Sequence, residues 1–153
     1  MAMNIFIQLV TAFLGSLGFS LMFGLRAVHL IPASLGGLLS WGIYLYVMNH
    51  LGNVFLACFT ASIFSMVYSE FLARTRKSPA TLFIIPAIVP LVPGSSLYYA
   101  MSYAVSGDTE NAKIYGHQTV IWLLAIAAGI SFVTAIRELR IRHLRPKKKG
   151  ASK

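Results

Sequence analysis

The run IIPAIVPLVPGSS, residues 84–96, sets three prolines and a glycine in otherwise apolar sequence. Proline has no backbone N–H, and its ring clashes with the preceding helical turn. Pro90 therefore leaves the carbonyl of Pro86 without its helical donor, and Pro93 does the same to Val89. We expect the helix to break here and to leave carbonyl oxygens free.

Apolar sequence continues past the prolines, so a second helix is expected to follow. Gly94 can adopt backbone conformations closed to most residues, and Ser95 is a residue type that caps a helix N-terminus. The first amides of that helix, around Ser96 to Tyr98, favour an anion such as a carboxylate. Carbonyls at 86–92 suit an ammonium group or a cation. Together these groups predict a site for a zwitterion.

Discontinuous helices of this kind form the substrate sites of many secondary transporters. The substrate-binding hypothesis covers Pro86, Pro90, Pro93, Gly94, Ser95, Ser96 and Tyr98. Two alternatives stay open. One is a proline kink that only shapes the helix bundle, and the other is a re-entrant hairpin that would still line a cavity.

Glu70 is a carboxylate near the end of an apolar segment, with Arg74 four residues further on. On a helix this spacing favours an ion pair. A carboxylate inside a membrane span suggests function, so two interpretations stand: a coupling role in transport, or an ion pair that sets helix depth. His29, close to Arg26, is expected at the membrane interface, with a ligand or proton role as the alternative.

The sequence contains no motif for metal binding or for enzymatic catalysis. No His, Cys, Asp and Glu cluster has metal-ligand spacing, and no nucleophile elbow or phosphate loop is present. We therefore expect no enzymatic activity, no catalytic residue, no metal and no cofactor. The single cysteine, Cys58, can form no intrachain disulfide. The net charge of +9 is concentrated in a C-terminal tail suited to anionic lipid, and we expect no nucleic-acid partner.

Composition places these residues in a membrane. Hydrophobic residues make up 57% of the 153 and charged residues 11%, and the mean hydropathy is +0.72. A soluble domain carries about 25% charged residues. The fold class expected is all-α, a polytopic membrane protein of five transmembrane helices with the fourth one discontinuous. The predicted spans are 3–24, 33–49, 53–73, 80–106 and 118–136, with a polar loop, GDTENAKIYG, before the last.

Basic residues set the expected orientation. With five spans and the N-terminus outside, every basic residue except Lys113 falls on the cytoplasmic side, whereas six spans would put the basic tail outside. We therefore expect one transmembrane domain over 1–140 and a basic cytoplasmic tail over 137–153.

Small residues recur every four positions on two spans, and such stripes let helices approach closely in lipid. Packing within the chain is the simpler interpretation. Because five spans are few for enclosing a pathway, one stripe is also expected to meet another chain. The stripe residues are Ala57, Ala61, Ser65 and Ser69 on one span, and Ala125 and Gly129 on the other.

The run SEFLARTRKSPATLFIIPAIVPLVPGSSLYYAM, and above all its PLVPG signature, resembles the threonine/serine exporter family. Nearly the whole chain resembles the small membrane subunit of that family's split, two-component form, which is known in bacteria. The signature residues carried over are Glu70, Arg74, Pro90, Pro93 and Gly94.

The resemblance implies a subunit of a secondary transporter that exports threonine and serine across the bacterial plasma membrane, driven by an ion gradient. Fused members carry ten spans in two halves, and this chain resembles the second half. The implied partner is a larger five-span subunit, with a homo-oligomer as the alternative. A related split pair is implicated in succinate export, so a dicarboxylate exporter subunit is one alternative function. A non-transporting membrane scaffold or accessory subunit is the other.

Overall fold

Six α-helices account for most of the described residues. The computed structural model describes the backbone of residues 4–144 and the side chains of residues 4–140. The helices are α1 Ile5–Met22, α2 Ala27–Leu51, α3 Val54–Arg76, α4 Thr81–Ile88, α5 Gly94–Val105 and α6 Thr109–Leu144, with a 3₁₀ turn at Val89–Leu91. Over the described range the fold is all-α, as expected. The predicted tail from residue 145 onward lies outside the described residues.

Four of the described helices, α1, α2, α3 and α6, are long and apolar enough to cross a membrane. The pair formed by α4 with its 3₁₀ turn and α5 passes the same test jointly and is bent by 58° at the break. It is a fifth span if the two halves cross as one, or else a re-entrant segment. The chain is a helical membrane protein, and the count of five spans stays a prediction.

Two helices extend beyond the predicted spans. The second helix begins at Ala27 rather than at residue 33, with Pro32 inside it. Pro32 is the sixth residue of α2, so its missing N–H removes the hydrogen bond to the Val28 carbonyl, while Tyr68 donates a hydrogen bond of 2.8 Å to the Pro32 carbonyl. The last helix begins at Thr109, so most of the predicted polar loop is helical.

Asp108 explains the early start of α6. Its carboxylate accepts the backbone amide of Asn111 at 3.1 Å and the side-chain amide of the same residue at 2.7 Å. An aspartate in this position satisfies amides that the first helical turn leaves free. With 36 residues, α6 is about 54 Å long, longer than a hydrocarbon core is thick.

The helices pack around α3, which contacts α2, α4 and α6. The 3₁₀ turn lies among α1, α2 and α3, whereas α5 packs principally against α6. The small residues of both stripes are buried within this chain. Gly129 of α6 lies so close to Ser62 of α3 that a methyl group there would collide with its hydroxyl. Packing within the chain is therefore confirmed, and the stripes offer no surface to a second chain.

Candidate functional site

The predicted helix break is present where the prolines are. Helix α4 ends at Ile88, the 3₁₀ turn covers Val89–Leu91, and α5 begins at Gly94. Together α4 and the turn rise about 18 Å, so the segment before the break is shorter than a hydrocarbon core of about 30 Å. The interpretation as a helix, a short unwound stretch and a second helix is confirmed.

The local roles of Gly94 and Ser95 differ from the prediction. Pro93, with φ −79° and ψ 59°, is the residue that precedes α5, and it provides no side-chain cap. The Gly94 amide donates to the Val92 carbonyl at 2.8 Å, so the turn at Val92 and Pro93 already starts the helix. Gly94 does not have a positive φ, and Ser95 is the second residue of α5. Gly94 therefore does not adopt a conformation reserved for glycine, and Ser95 does not cap the helix.

Four backbone groups around the break take part in none of the hydrogen bonds that the described turns and loops form. They are the amides of Ser95 and Ser96 and the carbonyls of Pro90 and Leu91. The expectation that Pro93 would free the Val89 carbonyl is wrong, because the Val92 amide donates to it at 3.2 Å. Donors and acceptors are therefore both available, on opposite sides of Val92 and Pro93.

The surroundings of the break are closed on one side and open on the other. Pro86, Leu91 and Pro93 are buried in the bundle, while Gly94 and Ser95 are exposed. Tyr98 is 67% exposed, and no residue of α5 is buried. Unpaired backbone groups cost several kcal/mol in lipid, so this side needs a cover of protein or water.

A groove of about 240 Å³ reaches the break from the closed side. It is lined by Gln8, Thr11 and Ala12 of α1, by Trp41 of α2 and by Pro90. Gln8 also borders a larger groove of about 600 Å³ between the start of α1 and the end of α2. Sequence reasoning did not single out α1, because one glutamine and one threonine in an apolar helix show no periodic signal.

Glu70 lies at the other candidate position, near the C-terminal end of α3. Its carboxylate is held by Arg137 of α6 at 3.2 Å and by Arg74 at 3.7 Å. The predicted pair of Glu70 with Arg74 is confirmed, although Arg137 makes the shorter contact with the carboxylate. Arg137 was missed because 67 residues separate it from Glu70.

These three side chains border a pocket of about 370 Å³ that also includes Ala73, Ser78 and Ala80. The nearby His29 lies 3.5 Å from the Ser78 hydroxyl through Nε2, and its ring meets the edge of Phe83. Its Nδ1 is buried and has no hydrogen-bond partner in the described part of the chain. Among the described residues no group of His, Cys, Asp and Glu could hold a metal ion.

These features define a class: a membrane protein that is helical over the described residues, with one helix discontinuous partway along its length. The family model described as threonine/serine exporter matches residues 8–136, most of the chain. The chain belongs to the threonine/serine exporter family. No curated protein and no solved structure matched it.

Proposed function

We propose that this chain is one subunit of a secondary transporter that exports small amino acids, threonine and serine, across the bacterial plasma membrane. The family supports an exporter, and one observation carries the assignment of the site. The amides of Ser95 and Ser96 belong to the first turn of α5, where N–H groups have no partner within the helix, and the carbonyls of Pro90 and Leu91 lie on the other side of Val92, Pro93 and Gly94.

A zwitterionic amino acid matches this arrangement. Its carboxylate accepts hydrogen bonds from the amides at the start of α5, where the helix dipole also favours negative charge. Its ammonium group donates to the carbonyls of Pro90 and Leu91. The protein then acts as a binding and conducting subunit rather than as an enzyme, and it needs no cofactor.

A partner chain completes the site in this proposal. The start of α5 is exposed in the single chain, and lipid cannot satisfy its amides. A larger five-span subunit of the same family fits this role, and a second copy of the chain is the alternative. The orientation proposed has the N-terminus outside and places Arg26, Arg74 and Arg137 at the cytoplasmic side.

A dicarboxylate is the alternative substrate. It would require a second cationic group at the break, and no lysine or arginine lies between Pro86 and Tyr98. A partner would have to supply that charge. The chain's own residues therefore favour an amino acid.

Efflux of radiolabelled threonine, serine and succinate tests the proposal, in cells that express the chain alone and with its neighbouring gene product. Threonine and serine should leave faster than from control cells. If none of the three substrates leaves faster in any combination, the transport proposal is wrong.

A paired substitution separates the transporter from a scaffold. Replacing Pro93 and Gly94 by alanines should abolish efflux while the amount of assembled protein in the membrane is unchanged. Pro79→Ala, at an exposed proline outside the break, is the matched control and should keep efflux. Unchanged flux per assembled complex in the Pro93→Ala, Gly94→Ala variant would instead identify a scaffold.

A further inference from the structure

The pocket beside Glu70 carries more positive than negative charge. Two guanidinium groups, Arg74 and Arg137, share the single carboxylate of Glu70. Glu70 is only 14% exposed, while the arginine side chains are 74% and 42% exposed. The acidic partner is thus withdrawn into the protein, and the cationic groups border an open volume of about 370 Å³.

Within the part of the chain that the structure describes, hydrogen-bond donors are left over in this pocket. A guanidinium has five N–H donors in a planar fork, and Arg137 uses one of them on Oε1 of Glu70. Arg74 approaches the other carboxylate oxygen at 3.7 Å, too far for a hydrogen bond. The remaining donors of two arginines suit the planar, two-oxygen geometry of a carboxylate.

We propose that this pocket binds the carboxylate of a small organic acid, which takes the place of Glu70 on Arg137. The role of the pocket as the cytoplasmic loading site of the exporter rests on the proposed function. The binding of a carboxylate in this pocket does not depend on the proposed function. The small side chains of Ala73 and Ala80 leave room for the rest of the ligand.

The exchange has a structural consequence. The Glu70–Arg137 contact joins α3 to α6, and α5, which carries the amides of the break, packs principally against α6. A ligand that removes Arg137 from Glu70 releases this connection. About 12 Å of helix, Thr81–Ile88, separates the pocket's edge at Ala80 from the break.

Binding of 3-hydroxybutyrate tests the proposal. This acid has the carboxylate and hydroxyl of threonine but no ammonium group, so it should avoid the zwitterion site. Radiolabelled 3-hydroxybutyrate would be titrated against the full-length protein in phosphatidylcholine nanodiscs. Arg137→Gln should weaken binding about tenfold, the effect of losing a charge-assisted hydrogen bond. Arg74→Gln should weaken it less.

Glu70→Gln gives the sharper result, because it removes the competing carboxylate. It should tighten binding several-fold, opposite in direction to Arg137→Gln. Arg140→Gln, at an exposed arginine three residues further along α6, is the matched control and should leave binding unchanged. If Arg137→Gln fails to fold, Arg137→Lys keeps the charge but loses the planar fork, and it should weaken binding at normal protein yield.

Two results would overturn the proposal. If Glu70→Gln and Arg137→Gln weaken binding equally, or leave it unchanged while lowering thermal stability, the pair is structural. If phosphatidylglycerol in the nanodiscs abolishes 3-hydroxybutyrate binding, the pocket holds a lipid phosphate. The protein could also export no threonine while Glu70→Gln tightens and Arg137→Gln weakens 3-hydroxybutyrate binding. That result would support the carboxylate pocket and reject the proposed exporter.

Discussion

The hydroxyl groups of Ser40 on α2 and Ser65 on α3 lie 2.6 Å apart, and both side chains are fully buried. Each also lies within hydrogen-bond distance of a carbonyl in its own helix, that of Gly36 at 2.7 Å and that of Ala61 at 2.8 Å. The two helices are therefore connected by a polar contact at the middle of the bundle, where water is scarce.

Ser65→Ala should lower the free energy of unfolding by roughly 0.6–1.7 kcal/mol, the range for hydrogen bonds between membrane helices. The measurement is reversible unfolding in mixed micelles. Thr60→Ala is the matched control, because among the residues described the Thr60 hydroxyl bonds only carbonyls of its own helix, and its effect should be smaller. Equal losses in the two variants would contradict a stabilising contact between helices.

Gly37→Ala should destabilise the protein by about 1–3 kcal/mol, the usual cost of overpacking. A methyl group at Gly37 would collide with Ser16 of α1 and approach the carbonyl of Pro86 to 3.0 Å. Thermal unfolding in detergent is the measurement. Gly18→Ala, where nothing lies within 4 Å, should be neutral or stabilising because alanine favours helix. A Gly37→Ala protein as stable as the wild type would rule out this close packing.

The break should recognise both charges of its substrate. Threoninol, which lacks the carboxylate, and N-acetylthreonine, which lacks the ammonium group, should each fail to compete with threonine for efflux. Serine, which keeps both groups, is the control and should compete. Competition by threoninol equal to that by serine would show that the amides of Ser95 and Ser96 contribute nothing to binding.

Protonation of Asp108 should weaken the start of α6. Hydrogen bonds from the side chain and the backbone amide of Asn111 lower the pKa of the Asp108 carboxyl below its ordinary value. Since the native pKa is the lower one, the carboxylate stabilises the helix start above the unfolded pKa. This stabilisation is lost as the pH falls through the native pKa.

Hydrogen exchange at the Asn111 amide measures this effect. Asparagine caps the helix without titrating. Protection of the Asn111 amide in the wild-type protein, relative to the Asp108→Asn protein, should therefore fall as the pH drops into the acid range. The comparison also removes the intrinsic pH dependence of exchange. A constant difference between the two proteins across that range would contradict the assigned role.

The part of the site that depends on the backbone was predictable, because proline acts within its own turn. Pro90 and Pro93 interrupt the helix whatever surrounds them, and the break lies where they are. The capping details were less predictable. Ser95 has the right residue type, but the turn at Val92 and Pro93 starts α5 before Ser95 is reached.

The sequence by itself determined an apolar helical chain, its interruption at the prolines and the pair of Glu70 with Arg74, since all three depend on residues within a few positions of each other. Only the tertiary structure decided that Arg137 meets Glu70, that Ser40 meets Ser65 and that α5 leaves its first turn exposed. These contacts depend on how each helix is rotated and how closely its neighbours approach, which is a property of the packed bundle and not of any local stretch.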